Sequence, residues 1–180
     1  MTATKLTVSS SQTVGPFFGI GLTYLIDRSL AVHTGKAGAI EIRGKVLDRD
    51  GVPVPDGMLE FWGADASESP NKNAYPSGFT RSFTDADGNF CAQISRPVAL
   101  PFEGGRMQSP HVLVLIFARG LLRHLVSRVY FGDERNESDP VLLGISDERR
   151  HTLIAQCEGR NSFRWNVILQ GSDETVFFAW

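Results

Sequence analysis

The 180-residue chain has few cysteines and no excess of positive charge. Its two cysteines, Cys91 and Cys157, lie far apart and form no Cys-x-x-Cys pair, so we predict two buried thiols in a reducing compartment rather than a disulfide framework or a zinc site. Eighteen Lys and Arg residues stand against twenty Asp and Glu residues. Such a balance leaves no basic stripe for phosphate groups, which argues against nucleic acid as a partner.

Long hydrophobic runs are also missing. The longest apolar run, at 112–118, is too short to cross a bilayer. The first residues carry no continuous apolar core of the kind that marks a secretory signal. We therefore expect a soluble, cytoplasmic protein that does not interact with membranes.

Common catalytic motifs are absent as well. The sequence contains no Gly-x-Ser-x-Gly, no phosphate-binding glycine-rich loop and no His-Glu-x-x-His. None of these common motifs therefore predicts a catalytic activity for the chain.

What the sequence does contain is a series of short runs rich in Val, Ile, Phe and Thr, separated by Gly, Asp, Pro and Asn. This pattern is typical of β-strands joined by tight turns. A single sheet would leave one face of the many aromatic residues in water, so we predict an all-β fold, a two-sheet β-sandwich of about eight strands. The predicted strands are 40–47, 57–62, 79–84, 89–95, 112–118, 125–131, 163–170 and 175–178.

The remaining segments predict one helix and one arm. Ser146 is a suitable N-cap, Asp147 favours a helix N-terminus, and Gly159 is able to end the helix. Residues 11–18 are too rich in helix and strand breakers for a regular element, so we expect residues 1–38 to form an N-terminal arm that lies against a sandwich domain of residues 39–180 or against a partner. We place Trp62 and Trp165 in the core.

Several motifs occur in one order along nearly the whole chain, and together they resemble the intradiol ring-cleaving dioxygenases. Within that family they are most similar to the α subunit of a member built from two different chains. The motifs are SQTVGPF at 11–17, EFW at 60–62, TDADG at 84–88, PH at 110–111, FARG at 117–120, RVYF at 128–131 and QGSDETVFF at 170–178.

The resemblance implies ferric chemistry, but not on this chain. In the family, Fe(3+) is held by two tyrosines and two histidines, the histidines lying two residues apart on one strand. Here His111 matches the first histidine, but Leu113 occupies the second position, and the tyrosines would fall near Pro70 and Leu100. The resemblance therefore implies that a related β subunit binds Fe(3+), that this chain binds no metal, and that it is inactive alone. We expect His111 to be a structural residue, bonded to a backbone group.

The resemblance also implies where a substrate binds. Arg119, in the FARG motif, is expected to bind the carboxylate of the substrate from this chain's side of a cleft shared with the β subunit, because a planar guanidinium suits a carboxylate. The alternative is a solvated charge at a hairpin turn. Pro16 and Phe17 are expected as nearby walls of the cleft, and no catalytic residue is expected in this chain.

The implied activity is cleavage of 3,4-dihydroxybenzoate with O2 to 3-carboxy-cis,cis-muconate by an α/β complex that assembles further. Two alternatives remain open. One is a transthyretin-like β-sandwich that only binds or scaffolds. The other is a homomeric catechol-type dioxygenase with unusual iron ligands.

Overall fold

A computed structural model of the protein describes residues 8–22, 38–64 and 78–179. Pro70, near which the first iron-binding tyrosine would fall, lies outside these ranges. Among the helices of the described residues, none is long and apolar enough to span a membrane.

Strands dominate the described chain, which confirms the all-β prediction, although there are eleven strands rather than eight. They are β1 Ala39–Leu47, β2 Met58–Gly63, β3 Phe79–Phe83, β4 Asn89–Ser95, β5 Leu100–Pro101, β6 Met107–Gln108, β7 His111–Phe117, β8 Leu125–Phe131, β9 Ile154–Gly159, β10 Ser162–Arg164 and β11 Val167–Ile168. The α-helices are α1 Pro16–Leu22 and α2 Asp147–Arg150, and the 3-10 turns are Glu103–Gly105, Leu142–Gly144 and His151–Leu153.

Nine strands form one mixed sheet that folds into two halves. In the first half β1 pairs with β4, β10 and β11, and in the second half β2 pairs with β3 and β7, which in turn pairs with β8. The halves are connected through β9, which runs antiparallel to β10 and parallel to β8. The two remaining strands, β5 and β6, form a small separate sheet.

The core lies between the two halves. Alternate residues of β1, including Ile40 and Ile42, point inward and meet alternate residues of β7, such as Val114 and Ile116, in one cluster of buried side chains. Trp165 belongs to this cluster, as predicted, and its indole N–H donates to the carbonyl of Thr152 over 2.8 Å. Side chains from both halves thus share one interior, which is the arrangement of a β-sandwich.

The predicted helix is wrong over most of its length. Helix α2 ends at Arg150, and the segment from Ile154 onward is strand β9. Ile154 and Ala155 pair with the buried residues Tyr130 and Phe131 of β8, so strand pairing overrides the helical spacing of the apolar residues. The predicted strand at 163–170 is divided into β10 and β11, and the segment 175–178 makes single hydrogen bonds without forming a ladder.

Three predictions of burial are also wrong. Cys91 is exposed because its neighbours Phe90 and Ala92 point inward, which turns Cys91 to the outer face of β4. Cys157 is exposed on β9. Trp62 is 41% exposed because Phe61 points to the core, and its ring packs on Phe79 on the outer face.

Candidate functional site at the two ends of strand β7

Strand β7 runs between His111 and Arg119, the two candidate site residues that the sequence indicated. His111 is its first residue, and Arg119 follows two residues after its last. With a rise of about 3.3 Å per residue, the eight steps from His111 to Arg119 span roughly 26 Å. The two side chains therefore belong to two separate environments, and each end of the strand has its own neighbours.

The imidazole of His111 is buried at the start of the strand. Its Nδ1 lies 2.8 Å from the carbonyl oxygen of Ser109, and its ring packs on Tyr130, with 5.3 Å between the ring centroids. Burial lowers the pKa of His111, because a charged imidazolium is poorly solvated there, and the Ser109 carbonyl opposes this shift only in part. The backbone hydrogen bond that we predicted for His111 is present.

Asp139 organises the surroundings of this histidine. Its carboxylate is fully buried and accepts hydrogen bonds from the backbone N–H groups of Ser109 at 2.7 Å and of Val141 and Leu142 at 2.9 Å each. The hydroxyl of Tyr130 also donates to it, over 3.2 Å. A buried carboxylate with four donors ties β8, the start of β7 and the segment after Asp139 into one polar cluster.

Arg128 extends the cluster toward the outer face of the sheet. Its Nη1 donates to the side-chain oxygen of Gln108 over 2.6 Å, and its guanidinium lies over the ring of Phe178, 5.7 Å from the centroid. Sequence reasoning missed Asp139 and Tyr130 as parts of this environment. No local pattern signals them, because Asp139 lies far along the chain from Ser109.

The described residues at this end of β7 do not fit a ferric ion. Leu113, two residues after His111, carries no donor atom that could bind a metal. The hydroxyl of Tyr130, the one tyrosine in the described ranges, is already engaged by Asp139 and Arg128, and burial raises its pKa. Within residues 8–22, 38–64 and 78–179, no three His, Cys, Asp or Glu side chains converge to hold a metal ion.

The other end of β7 is open. The Arg119 side chain is 62% exposed, and its Nη2 lies 3.7 Å from Oδ2 of Asp56, whose side chain is 72% exposed. Gly120 follows with a φ of 88°, a left-handed conformation that glycine adopts easily, so the chain turns sharply after Arg119. The guanidinium therefore stands at a turn with most of its surface free to meet a ligand or a partner.

The N-terminal arm, of which the structure describes residues 8–22, is anchored at this turn, and the expectation that its residues 11–18 form no regular element is wrong from Pro16 onward, where helix α1 begins. The backbone N–H of Gly120 donates to the hydroxyl of Thr13 over 2.8 Å, and the ring of Phe18 packs on Phe117, with 5.6 Å between centroids. Pro16 is the first residue of helix α1, where its missing N–H leaves no gap in the helix hydrogen bonds. Phe17, the next residue, is 80% exposed. The structure thus brings the segment with Pro16 and Phe17 to the turn with Arg119.

A groove of about 680 Å³ lies beside the anchored arm. Its walls come from three segments: the arm, the chain from Phe117 through the turn into β8, and the C-terminal residues Phe178 and Ala179. Neither Arg119 nor Phe17 lines this groove. Arg119 and Phe17 are exposed and each is next in the chain to a residue that lines the groove, so the groove and the Arg119 turn lie side by side at the surface.

Comparison with known proteins identifies the family of this chain. A family model described as dioxygenase matches residues 15–171. Two relatives are each named protocatechuate 3,4-dioxygenase alpha chain. The one from Burkholderia cepacia is 35% identical, with 97% of this chain and 98% of the relative covered, and the one from Pseudomonas putida is 37% identical, with 93% and 94% covered. The protocatechuate 3,4-dioxygenase beta chain of Burkholderia cepacia is 26% identical, covering 89% of this chain and 78% of its own length.

The fold is shared with a solved structure. Hydroxyquinol 1,2-dioxygenase from Pseudomonas putida DLL-E4 superposes with a TM-score of 0.60 at 20% identity, over 76% of this chain and 58% of that protein. The family model covers most of the chain, and the alpha-chain relatives match almost end to end. The chain therefore belongs to the dioxygenase family.

Proposed function

We propose that the chain is the α subunit of a protocatechuate 3,4-dioxygenase. In this proposal a complex of α and β chains cleaves the ring of 3,4-dihydroxybenzoate between its two hydroxyl-bearing carbons. Both atoms of O2 enter the product, 3-carboxy-cis,cis-muconate. The observation that carries the proposal is the match, over nearly the full length of both proteins, to relatives named as alpha chains.

The partner in this proposal is a related β subunit that binds Fe(3+). The match to a beta chain supports a pair of related subunits. The chemistry at the His111 end supports assigning the iron to the partner, because Leu113 cannot ligate a metal and the hydroxyl of Tyr130 is hydrogen-bonded to Asp139. We further propose that α/β pairs assemble into a larger cytoplasmic oligomer.

The substrate site in this proposal lies at the Arg119 end. Arg119 binds the carboxylate of the substrate, and Pro16 and Phe17 form nearby walls of a cleft that the β subunit completes. The anchoring of the arm to Gly120 by Thr13 supports this grouping. Residues 1–38 form the arm and residues 39–180 the sandwich domain, and helix α1 carries both wall residues.

Co-expression with an iron-binding chain tests the proposal. The partner is an intradiol β chain that carries two tyrosines and a His-x-His strand. We expect a stable complex that consumes 3,4-dihydroxybenzoate and O2 in equal amounts, while this chain alone shows no turnover. If the chain binds no such partner, the proposal fails in favour of a transthyretin-like scaffold. If the chain alone turns over substrate, a homomeric dioxygenase replaces the proposal.

A further inference from the structure

We propose that Asp56 is a positioning residue for Arg119, holding the guanidinium ready for the carboxylate of an aromatic substrate. This inference rests on the proposed function, because it assigns Asp56 a part in substrate binding by the α/β complex. It starts from the ion pair between the Asp56 carboxylate and the Arg119 guanidinium.

The register of two neighbouring strands brings these residues together. In the antiparallel pair of β2 and β7, Met58 lies opposite Phe117, and continuing that register by two residues sets Asp56 opposite Arg119. Both residues lie just beyond the ends of their strands, so they extend from the same edge of the sheet. The pairing of β2 with β7 therefore fixes which acidic residue faces Arg119.

Hydrogen bonds to the side chain of Thr84 hold the turn that carries Asp56 in place. The buried hydroxyl of Thr84 accepts a hydrogen bond from the N–H of Gly57 at 2.7 Å and donates to the carbonyl of Val54 at 2.8 Å. Asp56 has a φ of 59° and is the one residue other than glycine with a positive φ among those described. Because hydrogen bonds hold the backbone on both sides of Asp56, its Cα atom has a fixed place at the edge of the sheet beside Arg119.

The contact leaves room for a second carboxylate. The 3.7 Å between Nη2 and Oδ2 is longer than a direct hydrogen bond, and it involves one nitrogen of the guanidinium. An arginine has five N–H donors in a planar fork, so one edge faces Asp56 while another edge remains available for a substrate carboxylate. In the free chain this exposed pair is weak. A partner that excludes water from the cleft strengthens it.

Two substitutions remove the carboxylate without disturbing the turn. Asp56→Asn is isosteric, and Asp56→Gly removes the side chain. Both asparagine and glycine adopt positive φ readily, so neither change strains the backbone. Asp50→Asn is the matched control, because Asp50 is also exposed in a turn but contacts no part of the Arg119 turn.

The measurement is the Michaelis constant of the α/β complex for 3,4-dihydroxybenzoate and for catechol, which lacks the carboxylate. We expect Asp56→Asn and Asp56→Gly to raise the KM for 3,4-dihydroxybenzoate about 3- to 10-fold, with kcat and the KM for catechol within about 2-fold of wild type. If Asp56 had only a structural role, its substitution would change the KM values for 3,4-dihydroxybenzoate and for catechol by similar factors. Asp50→Asn is expected to leave both unchanged.

The outcomes separate this inference from the function on which it rests. If Arg119→Ala raises the ratio of the two KM values while both Asp56 variants leave it unchanged or lower it, the positioning role is overturned and the proposed function stands. If the wild-type complex does not turn over 3,4-dihydroxybenzoate, both are overturned.

Discussion

At the His111 end of β7, side chains are buried and their polar atoms are bonded to one another, whereas at the Arg119 end they are exposed. Asp139 alone accepts four hydrogen bonds at the closed end. At the open end the guanidinium of Arg119 meets a single carboxylate at 3.7 Å. The contrast teaches that the two ends of one strand can differ in kind: one end is a hydrogen-bonded polar cluster, and the other leaves a charged side chain free to meet a ligand or a partner.

The largest effect is expected from breaking the closed end at Asp139. Asp139→Asn replaces one acceptor oxygen with an N–H₂ group that faces backbone donors, so buried N–H groups lose their partner. We expect the free energy of unfolding to fall by roughly 3 kcal/mol. Urea denaturation followed by tryptophan fluorescence measures it. Asp87→Asn, at an exposed turn position, serves as the control and is expected to change stability little. Equal stability of the two variants would contradict the role of the Asp139 cluster.

The second effect concerns the open end and substrate selectivity. Arg119→Ala removes a charged donor, and we expect the KM of the α/β complex for 3,4-dihydroxybenzoate to rise about 30-fold, equivalent to about 2 kcal/mol. The KM for catechol should change little, because catechol has no carboxylate. Arg119→Lys keeps the charge but not the planar fork, so an intermediate loss is expected. Equal losses on both substrates would argue against a carboxylate contact.

The smallest effect is a dependence of stability on pH at the closed end. Burial lowers the pKa of His111 in the folded chain. Below about pH 6.5 the unfolded chain takes up a proton on His111 that the folded chain does not, so the free energy of unfolding falls as the pH falls. The loss is limited to about 1.4 kcal/mol per pH unit for one proton.

Urea denaturation at pH 7 and at pH 5.5 measures this dependence. The His111→Gln variant should lose less stability between these two pH values than the wild type. The exposed His124 provides the matched control, and His124→Gln should keep the wild-type dependence. A wild-type dependence in His111→Gln would show that another group titrates instead.

Much of the fold could be predicted from local patterns. Alternation of apolar and polar residues gave β1 and β4 within one residue of their observed bounds. The same alternation, applied to Cys91, also indicates an exposed position, since Phe90 and Ala92 point inward. The helix prediction failed after Arg150 because the pairing of β9 with β8 depends on a distant part of the chain. Apolar spacing alone does not separate a short helix from a strand.

The candidate site was predictable only in part. Arg119 came from a motif, but its neighbour Asp56 follows from the register between β2 and β7, which a single sequence does not contain. A structural role for His111 was predictable, because Leu113 stands where the family has its second histidine. Asp139 could not be found, because its donors Ser109 and Tyr130 are brought to it by the path of the chain around the sandwich.

The central claim is that the closed end of β7 has no iron-binding role. The most direct test of it is the visible absorption spectrum of this chain purified alone and incubated with Fe(III). Tyrosinate bound to ferric iron absorbs visible light, and iron content per chain is measured on the same sample. Because the closed end of β7 offers no second histidine and the hydroxyl of its tyrosine is bonded to Asp139, we predict a colourless protein without stoichiometric iron. A visible band with one iron per chain would contradict the account.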